Sequence, residues 1–185
     1  MAPSASEDPP LELDSDDKQE LKEIVVEFLS RYEGLYEKRI QKLIFYGEIA
    51  TAIKTGQRLT DADFMPYDYG PYSRAITNVL DELVEEGRIS IREDGQYATT
   101  LSGGNISPKK TYLIGKIHSE TKRMSTDELV DRAKNTWLWK NYEYGEDMDF
   151  AEYIDEVIMS PNERDMAREP ERDPVEDADM ERLLS

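Results

Sequence analysis

His118 is the only histidine in the chain and there is no cysteine, so nucleophilic catalysis has few components to draw on. A Ser-His-Asp triad could be assembled in one way only, and no Gly-x-Ser-x-Gly turn presents a serine. Disulfides and thiolate metal sites are excluded, and no oxygen-rich loop ends in a glutamate placed for a cation. The pair Gly103-Gly104 runs into Asn105-Ile106 without the lysine and hydroxyl that a phosphate loop requires. Carboxylates are plentiful, with 41 acidic residues against 23 basic. They cluster in polar terminal stretches where no desolvation lifts a carboxyl pKa into a useful range. The chain therefore reads as a non-enzyme with no cofactor and no metal, and His118 as a surface or packing residue. What remains is recognition chemistry.

The distribution of charge is more informative than the total of -18 over 185 residues. Residues 1–20 carry -6, residues 21–140 are neutral and residues 141–185 carry -12. The acidic ends also hold Pro9, Pro10, Pro161, Pro170 and Pro174, a composition that does not offset the entropy of ordering. Residues 1–17 and 160–185 are thus expected to be disordered acidic tails, either a solvating adaptation to high salt or an arm that binds or mimics something. Residues 103–140 are the one basic stretch, at +4. Lys109, Lys116 and Arg123 recur every seventh residue along one helical face with Lys122 beside them, a possible anion-binding stripe. The acidic segment 141–159 is expected to be an amphipathic helix that folds back over it. No apolar run or basic start marks a secretion signal or membrane anchor, so a cytoplasmic location and no membrane partner are expected.

The elements that position these residues follow from periodicity. Leu21, Ile24, Val25, Phe28, Leu29 and Tyr32 share one face of a first helix, with Asp14 to Asp17 at its N-terminus. A second helix spans about Glu37 to Lys54 and ends at Gly56, and the apolar run from Leu43 to Tyr46 predicts that it is central. Residues 59–70 read as irregular or briefly extended, with Phe64, Tyr67 and Tyr69 packed down. Tyr69-Gly70-Pro71 reads as the turn that opens a third helix, along which Ile76, Val79, Leu80, Leu83 and Val84 form a stripe. After Gly87, Arg88 to Arg92 alternates, Glu93-Asp94-Gly95-Gln96 has turn chemistry, and Tyr97 to Leu101 returns. Helix, helix, helix, hairpin is a winged-helix order. A helix from Tyr112 to Arg123 follows, then one that begins with the Ser125/Glu128 capping box and runs to Trp137. A last helix near 147–159 aligns Phe150, Tyr153, Ile154, Val157 and Ile158. The expected fold is mainly α with a small β-hairpin (α+β), a winged-helix-like core followed by further helices, with residues 18–140 as the folded domain.

Two motifs carry a resemblance: Arg39-Ile40-Gln41-Lys42-Leu43-Ile44-Phe45-Tyr46, and Tyr67-Asp68-Tyr69-Gly70-Pro71-Tyr72-Ser73. Together they resemble the SocA-like antitoxin domain called Panacea and the related YwgA-like proteins, over about Arg39 to Ile91. The resemblance implies an interaction domain that neutralises a toxin partner encoded nearby or delivers it to a protease, with no catalytic residue. The motif positions Gln41, Lys42, Tyr46, Tyr69, Gly70 and Pro71 are then the candidate partner-binding residues. Packing and the helix start account for Tyr69, Gly70 and Pro71; Gln41 and Lys42, expected to be exposed, are the better candidates for contact.

Two other functions compete with an antitoxin-like adaptor. A winged-helix DNA-binding regulator would place the third helix in the major groove, where Arg74 is its main base and Asp81, Glu82, Glu85 and Glu86 repel phosphate. Arg88 and Arg92 in the wing argue the other way. A nucleic-acid mimic would use the acidic tail.

Overall fold

A computed structural model describes residues 13–159; the expectations about 1–12 and 160–185 lie outside the described residues. The first helix, α1, spans Ser15–Leu29, so Ser15 to Asp17 form its first turn. Asp14 caps it by accepting from the Asp17 N–H at 2.9 Å, which satisfies one of the N–H groups that a helix start leaves without an internal acceptor. The second helix, α2, spans Glu37–Thr55 and stops at Gly56, whose φ of 69° only glycine adopts without strain. Every residue from Ile40 to Ala52 is buried, as the unbroken apolar centre predicts for a helix surrounded on all sides.

Between α2 and the third helix the chain forms a hairpin, β1 at Met65–Tyr67 and β2 at Gly70–Tyr72, with Pro66 opposite Pro71. This corrects the expectation that Tyr69-Gly70-Pro71 opens a helix. Pro71 belongs to a strand, and α3, Arg74–Glu85, starts after the cap residue Ser73. Ile76, Val79, Leu80 and Leu83 point inward from α3 onto α1. The wing follows as β3, Ser90–Ile91, and β4, Tyr97–Ala98. Leu35, in the link between α1 and α2, forms a single antiparallel bridge to the wing through a pair of hydrogen bonds with Tyr97 of 2.7 and 2.9 Å. That bridge between the first two helices and the wing is consistent with a winged-helix-like arrangement.

The fourth helix, α4, spans Pro108–Thr121 and begins four residues before the expected Tyr112, with Ser107 as cap and proline in the first turn. Ser125 caps α5, Thr126–Ala133, as its motif predicts. The helix does not continue to Trp137, because the Thr136 hydroxyl accepts from the Trp139 N–H at 3.2 Å and starts a separate short helix, α6, Trp137–Asn141. A short helix α7, Phe150–Tyr153, then passes into a π-helical turn over Ile154–Met159. Helices α1, α4 and α5 pack around α2, and the last segment closes against α2 and α6. Among the described residues no helix is long and apolar enough to cross a membrane.

Candidate functional site

Gln41 and Lys42 are not exposed: each is 2% accessible. Their polarity is accounted for by backbone groups some thirty residues away. The Gln41 side chain donates to Ser73 O at 2.9 Å and accepts from the Ser73 N–H at 2.8 Å, like one more strand residue beside the start of α3. Lys42 Nζ donates to Pro71 O at 2.8 Å. Burial pushes the Lys42 ammonium down to about 8 from its usual 10.5, with repulsion from Lys38 and Lys134 adding to it. One helix turn on, the Tyr46 hydroxyl donates to Leu129 O at 2.9 Å and ties α5 to α2; burial raises its pKa. These three residues position the elements above them and do not themselves offer contact.

Gly70 and Pro71 are buried within the same arrangement. Gly70 has φ 102°, and a Cβ there would lie 3.0 Å from Lys42 Cε. Positive φ and close approach both require glycine at this position. Together, Gln41, Lys42 and Gly70 hold the hairpin down on α2 from beneath.

The upper side of the hairpin is aromatic and open. Tyr69 is 64% exposed, and Lys38 Nζ sits 4.5 Å from its ring centroid. Tyr67 is also exposed. It stacks on Tyr72 at 5.3 Å on one side and on Tyr144 at 5.2 Å on the other, with interplanar angles of 29° and 18°. The expectation that Tyr67 and Tyr69 pack into the core is therefore corrected, because α2 is already fully covered beneath them. The Tyr144 hydroxyl donates to Asp68 at 2.7 Å, and that hydrogen bond with the carboxylate, followed by desolvation, pushes its pKa up to about 12. Tyr72 contacts Thr77 at 2.8 Å, and Thr77 donates to Glu37 at 2.5 Å. Tyr67, Tyr72, Tyr144 and Lys38 were not among the sequence candidates. The signal for the first two was four aromatic or glycine positions packed into six residues, which a two-residue strand period would have turned outward.

The proposed anion stripe lies elsewhere. Lys109, Lys122 and Arg123 are exposed and Lys116 is half-buried, and among the described residues none of the four forms an ion pair. The helix ends at Thr121, so Lys122 is its C-cap and Arg123 falls beyond it; the sevenfold spacing does not continue as one face. The acidic segment 147–159 does fold back, but onto α2 and α6, because Phe150 and Tyr153 find apolar seats there. His118 packs edge-on to Tyr32 at 4.8 Å, and burial, then Arg31 and Lys122, lowers its pKa. Among the described residues no group of three His, Cys, Asp or Glu side chains could hold a metal ion.

The two arginines that favoured DNA binding are used internally. Arg88 forms a bidentate pair with Glu23 at 2.7 and 3.0 Å, and Arg92 donates to Glu33 O at 3.2 Å. Glu82 on α3 and Glu86 at its C-cap engage Lys18 and Lys22 of α1.

A family model described as antitoxin SocA-like, Panacea domain, matches residues 40–140, more than half of the chain. No curated protein and no solved structure matches the chain.

Proposed function

We propose that this chain, which belongs to the SocA-like Panacea antitoxin family, acts by binding a protein, neutralising a toxin-like partner or delivering it to a protease, and that the tyrosine face of the β1–β2 hairpin is its contact surface. The observation that carries this reading is the stack of exposed Tyr67 and Tyr144 with half-buried Tyr72, and exposed Tyr69 beside it, on a hairpin anchored from below by buried Gln41 and Lys42. Tyrosine contributes large contact area with few rotatable bonds and is enriched among residues that dominate binding energy. A platform already rigid loses little entropy on association. The antitoxin family supports a non-catalytic role. DNA binding is the weaker reading, since Arg88 of the wing is already paired with Glu23 and the reading helix is acidic.

Co-purification from native cells at native salt tests this, together with the product of the adjacent reading frame. Tyr67→Ala and Tyr69→Ala should each weaken the captured partner by about tenfold or more, the range of a central interface tyrosine, with an unchanged melting temperature. A partner held equally by both variants would remove the assignment to this face.

A further inference from the structure

Residues 142–153 run along the hairpin as a strap whose contacts are those of a bound peptide. The Gly145 N–H donates to Pro66 O at 2.9 Å and the Met148 N–H to Phe64 O at 2.8 Å, both on the side of β1 away from β2. Pro66 has no N–H of its own, so at that position this edge offers a carbonyl and no donor, and it selects a chain that donates. Two residues past the second donor, Phe150 enters an aromatic pocket and is 3% exposed. Its ring meets Phe45 at 6.2 Å and Phe64 at 6.1 Å, and the Arg58 guanidinium covers it at 4.0 Å.

That pocket is built independently of the strap. Arg58 is fixed by buried Glu48 through hydrogen bonds of 3.0 and 3.1 Å, and Glu48 also accepts from the Leu59 N–H at 2.9 Å and the Thr60 N–H at 3.2 Å. Phe45, Glu48, Arg58, Phe64 and Pro66 all lie within the family-matched residues 40–140, whereas the strap lies beyond them. Within the strap, residues 143–147 are all exposed and include Gly145 at φ 79°. Its first contact is Tyr144 on the tyrosine face, so the cleft and that face are continuous.

We infer that this cleft is a binding site for an extended segment of the protein partner, one that donates main-chain N–H groups to Phe64 and Pro66 and inserts an aromatic side chain beneath Arg58, and that the strap is its resident competitor. The inference rests on the partner-binding reading above. A competitor tethered by a short linker acts at an effective concentration in the millimolar range, so it sets a threshold that a partner must exceed.

The probe is a labelled synthetic peptide with the sequence of residues 142–159, added to the full chain carrying Phe150→Ala. Fluorescence anisotropy should show saturable binding at least about tenfold tighter than to the wild-type chain, whose seated strap competes in cis. The same peptide with Phe150→Ala should bind neither. A variant that keeps its near-UV circular dichroism and binds the peptide no better than wild type would overturn the inference. If Phe150→Ala does not fold, a full chain with a protease site inserted between Glu146 and Asp147 decides instead. After cleavage the body should stay folded and exchange its strap for the peptide, and unfolding on cleavage would show the strap to be ordinary core. With the co-purified partner, unseating the strap should raise affinity. Equal affinities would overturn the strap inference and leave the partner-binding reading intact, whereas a chain that captures no partner defeats that reading while the peptide result still stands for the cleft.

Discussion

Two hairpins of similar size among the described residues are held in different ways. The wing, β3–β4, projects with Ser90 and Ile91 exposed, is joined to the body by the Leu35–Tyr97 hydrogen bonds, and is pinned at its tip by Arg92. The hairpin β1–β2 lies on the most buried helix and is fastened by side chains that rise from it, Gln41 to Ser73 and Lys42 to Pro71. Fastening from below leaves the upper face unobstructed. The wing closes the helical core, while the second hairpin presents a surface, and buried polar contacts make that presentation rigid.

Substitutions that cut the fastening should separate the two hairpins. Gln41→Ala strands the buried Ser73 N–H, at a cost of about 1–3 kcal/mol for an unpaired group, and leaves the Ser73 carbonyl only the Thr77 N–H at 3.5 Å, so it should have the largest effect in urea unfolding. A loss under about 1 kcal/mol would mean that water replaces the amide and that the hairpin is not held by it. Gly70→Val forces a branched residue to positive φ against Lys42 and should cost about 1–3 kcal/mol by thermal melting. An unchanged melting curve would remove the conformational account of Gly70.

Lys42 makes the comparison pH-dependent. Its folded pKa of about 8 lies below the ordinary 10.5, so between these values the unfolded chain binds more protons and this group's contribution to stability rises with pH. It falls again as pH drops through the folded pKa. The stability difference between wild type and Lys42→Met should therefore move in favour of wild type from pH 8 to 10, and a flat difference would place the amine in contact with water. The smallest effect is expected in the wing. Arg92→Ala removes one exposed hydrogen bond and should change stability by no more than about 0.5 kcal/mol, with no change in partner binding. A larger loss of binding would move the contact surface to the wing.

Local chemistry made much of the fold legible. The Asp14 and Ser125 caps, the stripe Ile76 to Leu83 and the Glu93-Asp94-Gly95-Gln96 turn all act between residues within about one helical turn or one hairpin of each other. The glycine at position 70 was also legible as a backbone requirement, although its setting proved to be a strand and not a helix start. The expectation that Gln41 and Lys42 are exposed did not hold, since both are buried. A polar side chain defaults to the surface in any reading that lacks partners, because burying it without a hydrogen bond is costly. Gln41 and Lys42 evade that cost through groups about thirty residues away.

The sequence by itself determined where helices form, where they stop and that α2 is central, since periodicity and capping depend on neighbours along the chain. Tertiary structure alone decided which faces remain open. Tyr67 and Tyr69 are outward because the hairpin meets α2 through Pro66, Gly70 and Pro71, which are buried. Among the described residues Lys109 and Lys116 form no ion pair, because the aromatic anchors of the strap, not its charges, chose where it lies. Burial of Phe150 removes apolar surface from water wherever the pocket happens to be, while exposed ion pairs contribute little; the seat was therefore set by the shape of the space between Phe45, Phe64 and Arg58, which exists only once the chain has folded.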